Sequence, residues 1–185
     1  MKDPVVQAGD PVLRATAKPV AKKDVGSPKL SKIIARMKKV LAQEEFGVAI
    51  AAPQIGEPLR MFVVSGKVFA EEVPEGAEKK PSPPDRVFIN PTITRLSRAK
   101  QEMSEGCLSV RGKYGTVMRH EKASIKALDE TGRTITYHGA ELVGHIFQHE
   151  CDHLDGILYT DKTVQLEEDD DIKSARTKLK KRSGI

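Results

Sequence analysis

The sequence predicts an α+β fold: antiparallel β-sheets packed around a central helix, with an N-terminal helix and a C-terminal tail or helix. Three observations lead there. Helical periodicity runs through residues 27–45, strand-like segments fill Val87 to His138, and a second helical segment ends in two histidines four residues apart.

In SPKLSKIIARMKKVLAQEE (27–45), Leu30, Ile33, Ile34, Met37, Val40 and Leu41 recur at helical spacing, and Ser27 with Pro28 gives a start signal. Met61 to Val64 reads as a buried strand. Residues 65–86 collect Gly, Pro, Glu and Lys, including PSPPD at 81–85, and predict a surface loop before strand-like sequence resumes at Val87–Ile89. Ser124–Leu128 and Thr134–Tyr137 alternate about the turn signal DETG at Asp129–Gly132, which predicts a hairpin. The second helix is placed from about Gly139 to Leu154. No internal repeat interrupts this order, so residues 1–185 are expected to form a single domain.

Composition narrows the function classes. With 38% hydrophobic and 31% charged residues the 185-residue chain suits a globular core, built mainly on Val, Ile, Leu and Ala because Trp is absent and aromatics are 4%. No apolar run approaches the ~20 residues of a membrane span. The N-terminus has neither the apolar stretch of a signal peptide nor the composition of a transit peptide, so a cytoplasmic location is expected. Two cysteines are too few for a disulfide framework. The net charge of +5 is segregated at the end of the chain, where Glu167 to Asp171 precede Lys173, Arg176, Lys178, Lys180, Lys181 and Arg182. Acid before base suits the helix dipole and a solvated terminal helix, and the basic tail, 172–185, is also a surface for a nucleic-acid-containing partner.

His149-Glu150-Cys151-Asp152-His153 is an HExxH sequence within the second helix. Residues four apart lie one turn above each other, so both imidazoles can share one ion, while Glu150 is placed to act as a base. Leu142, Val143, Ile146 and Phe147 give that helix an apolar face, which favours a buried site over two surface histidines. A hydrolytic site needs a third ligand and an open position. The extended protease pattern keeps Gly156 but has Tyr159 where a third His belongs, and Glu167 and Glu168 lie in a segment with little apolar content. Cys107, in Glu105-Gly106-Cys107-Leu108-Ser109-Val110, is the better candidate, since a thiolate binds zinc or ferrous iron strongly. Cys151 turns away from the histidines and reads as a packed core thiol.

Gly47-Val48-Ala49-Ile50-Ala51-Ala52-Pro53-Gln54-Ile55-Gly56, EGCLSV at 105–110 and QHECDHLDG at 148–156 resemble the three motifs of peptide deformylases in order and spacing. The likeness runs from GDPVLR at Gly9–Arg14 to about Asp161. It implies removal of the N-formyl group from the initiator methionine of nascent bacterial-type proteins. It also implies one divalent ion on Cys107, His149 and His153, usually Fe2+, with Ni2+, Co2+ or Zn2+ able to substitute. Glu150 is then the proton carrier, and the Gln54 amide and Leu108 N–H are oxyanion donors. The main chains of Val48 and Gly106 would bind an extended peptide, and Ile50 and Ile146 would line the methionine pocket. Glu105 and Arg119 match positions that pair beneath the Cys loop. His145 is read as structural or partly exposed, and His120 and His138 carry no signal.

The chain departs from the family pattern at Ala49, usually Gly, and at Ile50, usually Leu. A positive φ at Ala49 would strain the loop, and residues 65–86 are placed to cover one side of the cleft. The resemblance further implies ribosome docking through the C-terminal region; no membrane partner and no sequence-specific nucleic-acid contact is expected. Two other readings compete. A metalloprotease with a different third ligand would keep its metal in Cys107→Ser, and a purely structural zinc would need a fourth protein ligand that the motifs do not supply.

Overall fold

The computed structural model describes residues 3–70, 81–163 and 165–168. Helix α1 (Pro28–Gln43) opens where Ser27 accepts the Leu30 N–H at 3.2 Å, and Pro28 occupies the first turn, where no N–H is needed. Its buried stripe is Leu30, Ile33, Ile34, Met37, Val40 and Leu41, the set picked out by periodicity.

That stripe covers one face of a five-stranded antiparallel sheet. Its strands are β1 (Ala49–Ala51), β2 (Met61–Val64), β3 (Arg86–Leu96), β6 (Lys122–Leu128) and β7 (Thr134–Ala140), in that order across the sheet. Helix α2 (Glu141–Leu154) covers the opposite face. The unbroken apolar run of β2 follows from this: Met61 and Val63 pack with α1, while Phe62 and Val64 pack with α2. Phe147 of α2 is fully buried, with its ring centroid 5.4 Å from Phe88 and 5.8 Å from Tyr137.

A separate three-stranded antiparallel sheet has β5 (Val110–His120) between β4 (Lys100–Cys107) and β8 (Leu166–Glu168). The predicted DETG hairpin is present between β6 and β7, with Leu128 opposite Thr134.

Three expectations are corrected. Gly139 and Ala140 belong to β7, and α2 begins at Glu141, whose φ of 49° turns the chain sharply from strand to helix. Gly139 serves this corner by lacking a side chain, since a Cβ there would sit 2.8 Å from the Gly144 nitrogen. Glu167 and Glu168 are in a strand, not a helix: they pair with Tyr114 and Lys113 along the outer side of β5, whose backbone groups they satisfy. The remainder of the terminal segment, including 172–185, lies outside the described residues. Finally, 65–86 is not all loop. Ser65 caps a short 3-10 turn, Gly66–Phe69, and Phe69 packs edge-on against Tyr137 at 5.5 Å beneath the Arg86 guanidinium. None of residues 65–70 or 81–86 lines the main cleft.

Candidate metal centre and active site

The site forms where the end of β4 meets α2. The four-residue spacing on α2 stacks His149 and His153, with ring centroids 4.9 Å apart. Cys107, the last residue of β4, reaches them at the strand's end: its Sγ lies 3.1 Å from His153 Nε2. One ligand atom from each of Cys107, His149 and His153 lies within 4.8 Å of the others. A cleft of about 440 Å³ opens over this cluster.

Gln54 reaches the same place from the turn after β1. Its Oε1 accepts the Ala51 N–H at 2.8 Å, which fixes the amide, and its Nε2 donates to Ser109 Oγ at 3.2 Å, with Cys107 Sγ 3.5 Å away. Ser109, fully buried, was not singled out by the sequence; its place two residues after Cys107 was the available signal.

Beneath the cluster lies Glu105, whose side chain is 1% exposed. It accepts from Arg119 Nε at 2.6 Å and Nη2 at 3.1 Å, as the resemblance implied. It also accepts from His149 Nδ1 at 2.7 Å and His145 Nε2 at 2.8 Å, which the sequence did not reveal. The bond to His149 Nδ1 leaves Nε2 of that ring for an ion. Arg119 Nη1 continues to Asp152 at 2.5 Å, and Lys162 reaches the same carboxylate at 2.6 Å.

Charge is distributed accordingly. Burial would raise the Cys107 thiol, but His153 and His149 outweigh it and hold the thiol at about 5. Burial would also raise Glu105, yet bonds from His145, His149 and Arg119 keep it well below the usual carboxylate range. At His149 burial favours the neutral ring, and the hydrogen bonds to Cys107 and Glu105 overcome it and raise the imidazole. Burial raises Glu150, against the pull of His149 and His153. Glu150 Oε2 is buried with no hydrogen-bond partner among the described residues. A thiolate, two imidazoles and a buried carboxylate with an unused oxygen fit a divalent ion with a water beside it.

Of the residues picked out by sequence, Val48, Gln54, Gly106, Cys107, Leu108, Ile146, His149 and Glu150 line the cleft, and His153 lies just behind it. Ile50 does not. In β1 alternate residues face opposite ways, so Ala49 and Ala51 share the α2 side while Ile50 is fully buried under α1. Ala49 pairs with Val64 without a positive φ, so the loop carries no strain at that departure. Cys151 is a core thiol, packed on the α2 side and pushed up to about 12 by burial.

This fold and site define a metal-dependent hydrolase. Residues 2–169 match the polypeptide deformylase family. The chain is 39% identical over 167 residues to peptide deformylase of Christiangramia forsetii, covering 88% of this chain and 82% of that one. It is 38% identical over 164 residues to peptide deformylase 1A, chloroplastic/mitochondrial, of Arabidopsis thaliana, covering 86% of this chain but 61% of that longer protein. The Met-Ala-Ser-bound crystal structure of class I type b peptide deformylase from Acinetobacter baumannii is similar, with a TM-score of 0.74 and 31% identity across 86% of this chain and 96% of that one. The chain therefore belongs to the polypeptide deformylase family, metal-dependent hydrolases that remove the formyl group from N-terminal methionine. Among the described residues no helix is long and apolar enough to cross a membrane.

Proposed function

We propose that this chain deformylates nascent formyl-methionyl peptides, with one divalent ion held by Cys107, His149 and His153. The convergence of these three side chains beside the unpartnered Glu150 Oε2 carries the reading. Ferrous iron is the proposed ion, with nickel, cobalt or zinc as substitutes, because a thiolate with two imidazoles suits this range.

The ion, when bound, supplies Lewis acidity toward a water and the formyl carbonyl. Glu150 takes a proton from the attacking water as its oxygen adds to the formyl carbon, then returns it to the amine as the C–N bond breaks and formate leaves. Oxygen charge built up in that step meets the Gln54 amide, already oriented by Ala51, and the Leu108 N–H. An extended peptide suits outer strands: among the described residues β1 and β4 lie at the edges of their sheets, and Val48, just before β1, and Gly106 of β4 both line the cleft. Ile146, with its neighbours Leu142 and Val48, offers the apolar wall for methionine.

The whole chain, 1–185, is taken as one catalytic domain with 172–185 as a basic tail that docks on the ribosome. The compartment follows from the substrate: the cytoplasm, where formyl-initiated chains emerge. Deleting 172–185 is expected to reduce ribosome co-sedimentation at low salt; unchanged co-sedimentation rejects the docking role.

The deciding experiment is turnover of formyl-Met-Ala-Ser by anaerobically purified protein with ferrous iron or nickel. Wild-type turnover, with Glu150→Ala lower by about 100-fold or more, is the expected result. A metal-loaded wild type that releases no formate overturns the reading.

A further inference from the structure

We propose that His145 is a positioning residue for the metal site, acting through Glu105; this rests on the ligand assignment above. The Glu105 carboxylate accepts four N–H groups. Oε1 takes Arg119 Nε and His145 Nε2, and Oε2 takes Arg119 Nη2 and His149 Nδ1. Two donors on each oxygen fill the carboxylate's capacity.

The sources of those donors differ. Arg119 lies on β5, in the same hairpin as Glu105 on β4, so its two bonds hold the carboxylate within that hairpin. His145 and His149 lie one turn apart on α2 and grip opposite oxygens. The carboxylate thus spans a helical turn, and the hairpin cannot slide along α2 without lengthening one of these bonds. Arg119 also crosses to α2 through Asp152, near the helix C-terminus, and Gln148 bonds the backbone of His120 at the far end of β5, whereas His145 is the tie N-terminal to His149 that reaches Glu105 on the Cys107-bearing strand. Cys107 follows Glu105 by two residues. The two ties therefore set the separation between the thiolate-bearing strand and the histidine-bearing helix.

His145 is not explained by packing. It is 7% exposed, and its Nδ1 is buried without a partner among the described residues. A hydrophobic side chain would fill that space with no polar atom left unsatisfied. The bond from Nε2 to Glu105 is what the imidazole adds.

The test measures Co2+ affinity by chelator competition, without substrate, so its failure leaves the deformylase reading standing and absence of turnover leaves this one standing. His145→Phe keeps a ring and removes the donor; its affinity is expected to fall about tenfold or more. His145→Gln keeps an N–H donor but fills the ring's space poorly, and it is expected to bind Co2+ nearly as the wild type does. A packing role would give the reverse order. Wild-type affinity in His145→Phe overturns the proposal. Should that variant not fold, His145→Gln decides alone: affinity as in wild type supports the tie, and a tenfold loss rejects it.

Discussion

Cys151 follows His149 by two positions, a rotation of about 200° around the helix, which seats it in the core with Phe147 and Leu154 rather than at the site. Burial pushes its thiol up to about 12, whereas Cys107, held at about 5, is a thiolate at neutral pH. Iodoacetamide at pH 8 is therefore expected to label metal-free native protein at Cys107 and leave Cys151 unmodified, as read by peptide mass spectrometry; metal loading should suppress the Cys107 label. Glu105→Ala leaves the Arg119 guanidinium, 4% exposed, with Asp152 as its remaining carboxylate and takes its acceptor from His149, and is expected to cost about 1–3 kcal/mol of stability in urea titrations of the metal-free protein. The HExxH pair and the Cys151 orientation were legible because both depend on helical rotation alone. The His145–Glu105 contact was not, since no local pattern joins α2 to a strand more than thirty residues upstream. Ile50 was misplaced for a related reason: in Ala49-Ile50-Ala51-Ala52 every residue is apolar, so nothing in the pattern says which face is which.

Among the elements, α1 and β2 were readable because each carries an apolar pattern matched to its period. β8 was not. Leu166-Glu167-Glu168 has little strand propensity and is ordered by the free side of β5, with Lys113 4.0 Å from Glu168. The join between β7 and α2 was also missed at its first two residues, because Gly139 continues the β6 pairing before the chain turns. At that join a Cβ on Gly139 would lie 2.8 Å from the Gly144 nitrogen and 2.9 Å from the Phe147 ring. Gly139→Ala is expected to destabilise by about 1–3 kcal/mol, the usual cost of overpacking, seen as a lower Tm. Phe147→Ala, which empties the aromatic cluster between the sheet and α2, should cost about 3–5 kcal/mol by the same measurement. A Gly139 variant with unchanged Tm would mean that the corner can open to admit a methyl group.

For the whole molecule, the four-donor carboxylate ties acid stability to the site. Glu105 is held far below its unfolded value of about 4.3, so its contribution is present above that pH and is lost progressively as pH falls below it. Metal-free protein should lose stability steeply below pH ~4, and Glu105→Gln should flatten that part of the curve in pH-dependent urea titrations. Antiparallel sheets around a central helix were legible as a class, but which strands share a sheet was not, because pairing partners are set by long-range contacts that strand periodicity does not encode. Among the described residues, β1 and β4 are each paired on one side only, and residues at both line the cleft. An open edge is indifferent to whose strand it takes, and the same groups that would hold a peptide would hold a second copy of this chain. β1 limits that risk by being three residues long, and β4 by exposing Lys100, Glu102 and Ser104 along its length. A peptide added there, as proposed, would cover what remains, and emptied protein at high concentration is where edge-to-edge association would begin.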